Sequence, residues 1–275
     1  QSKGMEAMDG PINFGENNKF WGLIIENFSF PTYQGQNYNH PYYVNLFETY
    51  GFKVYYNQII NYRKVEEPIS DKFVKKAEII LSDNSYHIET IKKSNLGKYA
   101  EDFRTVYNEA WGTHENFKKM NYDLAQSLFK KMKPIIDEDL ICFVYYKNAP
   151  VGFCLGIPDI NPIIKKIQGN LNLIGKVKFL LYKKCVKIKR INGIAIGVHP
   201  EHQGKGIESA IFIDLAKRIQ PKNKYEDVVV TWVGDFNPKM QYIFESIGFY
   251  PIAKMATYRL LFDPNQKFER SPIIK

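Results

Sequence analysis

The stretch Val198-His-Pro-Glu-His-Gln-Gly-Lys-Gly-Ile-Glu208 decides how this chain is read. It follows the apolar, β-branched run 191–198 and leads into the helix-periodic run 209–219. A strand, a glycine turn and a helix start, in that order, leave backbone N–H groups unpartnered at the positive end of a helix. Such a nest suits a phosphate or diphosphate. Two familiar phosphate loops are excluded. The dinucleotide fingerprint requires a third glycine at a spacing absent here, and the nucleoside-triphosphate loop requires Gly-Lys followed by Ser or Thr. A strand–turn–helix joint without a ligand is the plain alternative.

The neighbouring segments give an order of elements. Residues 225–233 read as a β-branched strand, and Asn237 begins a periodic helix through Phe244 and Ile247 that Gly248 ends. Phe249 and a strand over 256–262 follow. Upstream, 86–91 reads as a strand, and 103–111 and 122–132 as helices. Strands over 141–146 and 151–157 form a hairpin through Lys147-Asn-Ala-Pro150, which is not an ideal two-residue turn by composition.

Gln203, Gly204, Lys205, Gly206 and Ile207, entered from a strand ending in Val198-His-Pro, resemble the coenzyme-binding signature of the GNAT superfamily, the acetyl-coenzyme-A-dependent N-acetyltransferases. The signature is Gln/Arg-x-x-Gly-x-Gly/Ala, and Glu208 departs from its last position. The order strand, helix, Gly-Phe, strand after residue 225 is also similar, and the likeness covers about 86–263. The resemblance implies an α+β fold with a mixed, mostly antiparallel central sheet flanked by helices. It implies acetyl-CoA or another acyl-CoA as cosubstrate, with the diphosphate on the amides from Gln203 to Glu208. The pantetheine arm would run along a bulged strand at Gly197 and Val198, near Asn237, and a small-molecule amine would attack the thioester directly.

Acyl transfer also needs a base for the amine and a proton donor for the departing thiolate. Many family members place a Tyr as that donor four residues before the Gly of Gly-Phe. Here the position is Phe244, which has no proton to give. His199, Glu201, His202 and Asp235 are the nearby candidate bases. The two histidines belong to an exposed joint beside the phosphate site, and Asp235, just past a strand end, is read as base or amine anchor or else as a helix cap. Trp111, His114 and Glu115 are candidate acceptor-wall residues because family members grip the acceptor from the first helices. No metal set is present in the sequence pattern, and Cys142 and Cys154 lie in apolar strands as core residues. Activity as an N-acyltransferase therefore stands beside a second reading, a catalytically weak or inactive relative that binds an acyl-CoA or metabolite as a sensor or scaffold.

The chain has 275 residues, 44% hydrophobic and 24% charged, with 19 Tyr and 19 Phe, enough for a large core or two modules. Three cysteines fit a reducing cytoplasm rather than a disulfide framework, and no apolar run is long enough to span a bilayer. Helix 42–50, Gly51-Phe52 and strand 54–63 echo the helix, Gly248-Phe249 and strand near the other end. Residues 1–64 thus resemble the closing part of a GNAT-like module. Either its front lies outside this sequence or it lends its strands to the other module. The expected division is 1–64, a charged, partly helical connector over 65–85, a GNAT-like domain over 86–263 and a tail over 264–275.

Residues 160–190 form an insertion with nine Lys and Arg and no acid, against a net charge of +9 for the chain. Interleaved apolar residues suit it to a lid, a membrane surface or an acidic partner, a solvated rim being the bland case. No specific nucleic acid is expected, since Lys outweighs base-reading Arg there.

Overall fold

The computed structural model describes residues 4–12, 21–112 and 117–274. The chain opens with β1 (Ala7–Gly10), β2 (Leu23–Glu26), α1 (Tyr42–Tyr50), β3 (Lys53–Lys64) and α2 (Asp71–Leu81). Next come β4 (Tyr86–Thr90), α3 (Leu96–Ala110), α4 (Tyr122–Met132), β5 (Ile141–Tyr146) and β6 (Ala149–Pro158). The remainder is α5 (Asn161–Lys166), α6 (Leu173–Cys185), β7 (Arg190–Val198), α7 (Ile207–Ile219), β8 (Asp227–Gly234), α8 (Pro238–Ser246) and β9 (Tyr250–Leu261). These fall into two compact units, Lys64–Val228 and Gln1–Arg63 with Val229–Lys275.

In the unit Lys64–Val228, β4, β5, β6 and β7 are successive antiparallel neighbours. The β5–β6 hairpin turns through Lys147 and Asn148, at φ 47° and 69°. Two positive φ angles match the twist of a tight hairpin, so the connection is a two-residue turn after all. The signal was weak because lysine seldom takes that conformation. One face of these strands is covered by α3 and α4 around Phe103, Phe129, Phe143 and Phe153. α2 packs on α7 through buried Phe73, Ala77 and Ile80. The segment 65–85, expected as a charged, partly helical connector, contains this helix, and its apolar face packs.

In the other unit, β3 lies between β9 and β8, and β1 and β2 both pair with β9. Residues 1–63 thus lend their strands to 229–275, with Ile24, Tyr33 and Ile60 packed against Val229, Ala253 and Met255. The echoed halves pair with each other. Lys53, two residues after Gly51, opposes Arg259, and Tyr250, two residues after Gly248, opposes Tyr62. The register slips at Tyr55 and at Ile252, each four residues after its glycine. A local two-fold relation accounts for both, since antiparallel pairing of equivalent strands is self-complementary.

Gly51 and Gly248 end α1 and α8 in the left-handed region, at φ 105° and 87°. Their N–H groups, with those of Phe52 and Phe249, satisfy the last carbonyls of each helix. A Cβ at either glycine would meet neighbours only at 3.5 and 3.6 Å. The cost of alanine is then conformational, and Gly51→Ala and Gly248→Ala are each expected to lose about 1–2 kcal/mol in urea unfolding. Unchanged midpoints would mean that the chain does not turn this way.

Candidate coenzyme site

The joint between β7 and α7 is held from behind. His202 is buried, and its Nδ1 lies 2.9 Å from the Tyr86 hydroxyl. Burial, then the charges of Lys205 and His199, push its imidazole below the usual range, so it is neutral near pH 7. His202 is therefore a packed anchor of the turn, not the exposed residue expected. His199 accepts from the Glu201 N–H at 3.3 Å, and the Gln203 side-chain amide donates to the Val198 carbonyl at 3.1 Å.

Gly204 and Gly206 take φ of 74° and 105°, and Gly206 is the N-cap of α7. The N–H groups of Ile207, Glu208 and Ser209 open the helix, where no carbonyl precedes them one turn back. At Gly206 a Cβ would lie 2.8 Å from the Lys76 carbonyl oxygen of α2, whereas at Gly204 it would meet nothing within 4 Å. The first glycine is thus open to approach, and the second is required by α2. Gln203, Gly204 and Lys205 are exposed, and Ile207 is fully buried.

Glu208 is half-buried, and its carboxylate accepts from its own backbone N–H. Burial pushes its carboxyl above the usual range, against the pull of that N–H and of Lys76. The chain thus sets a carboxylate of its own on one amide of the helix start. This is the consequence of the one departure from the signature.

Gly197 lies against a ring that sequence placed elsewhere. A Cβ there would be 2.6 Å from Trp111 and 2.7 Å from Phe153, whose rings are 6.0 Å apart and near-parallel. Trp111, at the C-cap of α3, also stacks on Tyr107 at 4.9 Å. The structure therefore brings the expected acceptor-wall residue Trp111 to the strand expected to carry the acyl group. Pairing with β6 is regular at Gly197 and Val198, opposite Phe153 and Gly152, and the extra residue is Ile194. The bulge lies three residues earlier than expected on this edge. His114 and Glu115 lie outside the described residues.

The other candidates sit on the unit Gln1–Arg63 with Val229–Lys275. Asp235 accepts from the Asn57 side chain at 2.9 Å and from Arg270 at 2.6 Å, and its N–H donates to the Asn57 carbonyl at 3.0 Å. Asn237 caps α8, its side-chain oxygen taking the Met240 N–H at 3.1 Å. The cap uses its oxygen and not its NH2. Phe244 is buried edge-on against Phe249 at 5.2 Å. Asn57 and Arg270 gave no sequence signal, because only the fold brings them to Asp235.

No protein-family model matches the chain. Among solved structures, a GCN5-related N-acetyltransferase from Sphaerobacter thermophilus aligns over 87% of this chain and 61% of its own, at 12% identity and TM-score 0.51. A tandem GNAT protein from the clavulanic acid biosynthesis pathway aligns over 96% and 67%, at 8% identity and TM-score 0.51. The fold is that of the GNAT superfamily. In sequence, Protein YghO of Escherichia coli (strain K12) is 23% identical over 264 residues, 94% of this chain and 66% of YghO. The bacterial ceramide synthase of Caulobacter vibrioides (strain NA1000 / CB15N) is 24% identical over 167 residues, 58% of this chain and 43% of the synthase. The chain thus spans 66% and 43% of these relatives' lengths.

Glu208 gives this GNAT-like joint a pH signature. Its folded carboxyl is harder to ionise than the unfolded one, so the folded state loses stability as pH rises through that raised range. Glu208→Gln is expected to raise the melting temperature at pH 7–8, with the gain gone below the ordinary glutamate range near pH ~4. A gain independent of pH would contradict the burial of this carboxyl.

Proposed function

We propose that this chain carries an acyl-CoA-dependent N-acyltransferase unit, in which an amine attacks the thioester directly. The observation that carries it is the β7–α7 joint, where open Gly204 leads into a helix start whose Ile207 and Ser209 N–H groups have no carbonyl one turn back. In this reading the coenzyme's diphosphate lies on the amides from Gln203 to Glu208, with Lys205 beside it. The acyl-bearing end follows Gly197 and Val198, where Trp111 forms an apolar wall. On the other unit the cap of α8 leaves the Asn237 NH2 unused, and Asn57 and Arg270 hold Asp235 in place as a candidate base or amine anchor. Acetyl is the reference acyl group. A ceramide is an amide of a long-chain amino alcohol, so the ceramide synthase among the relatives supports amide formation and favours an amine on a long carbon chain.

A second reading is favoured by two observations. Glu208 already rests on one amide of the helix start, and Phe244 is a buried ring with no hydroxyl for the thiolate. Both fit a protein that binds an acyl-CoA as a sensor or scaffold with little turnover.

Calorimetry with acetyl-CoA and free CoA tests the shared premise, with Gly204→Asp as the blocked-loop control. Gly204 serves better than Gly206, where any side chain strikes the Lys76 carbonyl. Saturable binding, weakened at least ~10-fold in Gly204→Asp and strengthened in Glu208→Gln, is the expected result. Transfer to a panel of amines, long-chain amino alcohols included, then separates enzyme from sensor. A folded protein that binds neither ligand would end both readings.

A further inference from the structure

Helix α6 turns only a narrow face inward. Gly175 and Phe179 are buried and Tyr182 is half-buried, packed with Ile163 and Ile167 at α5. At about 3.6 residues per turn these three positions share one side of the helix. The opposite side carries Leu173, Val177 and Leu180, with Ile174 and Leu181 beside them, and all five are 53–80% exposed. Leu171, just before the helix, is 51% exposed. By the same geometry Lys184 falls within this strip, Lys176 and Lys183 border one edge, and Lys178 borders the other.

An apolar strip pointing to water is costly unless something covers it. Its chemistry selects the cover. The segment 160–190 holds nine cations and no acid, and Lys183 bonds the Pro134 carbonyl, beside a cleft lined by Lys93, Lys130 and Lys133. The cationic surface therefore continues past the helix. Aliphatic side chains at the centre and lysines at both edges are the pattern of a helix lying in a bilayer interface. There the lysine stems run along the apolar face while their ammonium groups reach acidic headgroups. Among the described residues no helix is long and apolar enough to cross a membrane.

We propose that α6 docks this chain flat on an anionic phospholipid surface, with Leu173, Val177, Leu180 and Leu181 in the acyl boundary and the flanking lysines among the headgroups. The inference stands apart from coenzyme binding. The four variants needed to test it alter exposed side chains, so the fold is kept, as unchanged melting curves will show.

The test is flotation of the full chain with vesicles of phosphatidylcholine alone and of phosphatidylcholine mixed with phosphatidylglycerol. The wild type is expected to float with the mixed vesicles only. Leu173→Ser with Val177→Ser and Leu180→Ser should abolish flotation, and each of Lys176→Gln, Lys178→Gln and Lys184→Gln should weaken it roughly 5-fold. Cys185 is exposed at the end of α6 while Cys142 and Cys154 are buried, so a thiol-linked environment-sensitive dye reports on this helix. Its emission should shift to the blue on the mixed vesicles. The proposal is overturned by a wild type that does not float, or by a serine variant that floats as well as the wild type, which would be adsorption by charge alone. A dimer in light scattering that the serine variant dissolves would also overturn it, since the strip would then serve self-association.

Discussion

Gly206 is the point on which the joint between β7 and α7 turns. Its φ of 105° needs a residue without a side chain, and α2 takes advantage of that by bringing the Lys76 carbonyl into the space a Cβ would fill. His202, locked against Tyr86, fixes the other side of the turn. Between these two supports the chain leaves β7 and starts α7 with little freedom. The amides of the helix start are therefore set before any ligand arrives, and preorganised donors need not reorganise when a charge reaches them. Glu208 sets a half-buried carboxylate on one amide of the same helix start.

Much of this was legible in sequence, and the reasons differ from place to place. The helices Tyr42–Tyr50 and Tyr122–Met132 and the strand Ile141–Tyr146 fall where apolar period and end signals put them, because Gly51 and Asn121 mark their boundaries chemically. Gly248 does the same for α8. By contrast α3 begins at Leu96, seven residues before its clear apolar repeat, since Gly97 interrupts the pattern. The strand β1 stops at Gly10, before Pro11, which has no N–H to donate to a ladder.

The tertiary roles were the part that sequence hid. Nothing local shows that α2 backs the glycine turn, that Trp111 lies on Gly197, or that Asn57 and Arg270 hold Asp235. Each is a meeting of residues far apart in the chain. The echo of helix, Gly-Phe and strand was visible, but only the register reveals that β3 and β9 pair as equivalents, down to matched slips at Tyr55 and Ile252. In place of a separate partial module, one unit takes its strands from both ends of the chain.

The most direct test of the β7–α7 joint as a diphosphate cradle is a titration of CoA into protein labelled with nitrogen-15 at glycine, followed by the amide resonances. The amides of Gly204 and Gly206 should move together and saturably, while those of Gly51 and Gly248 stay in place. Stationary resonances at Gly204 and Gly206, or shifts confined to Gly169 and Gly175 in the basic insertion, would contradict it and move anion binding to that surface.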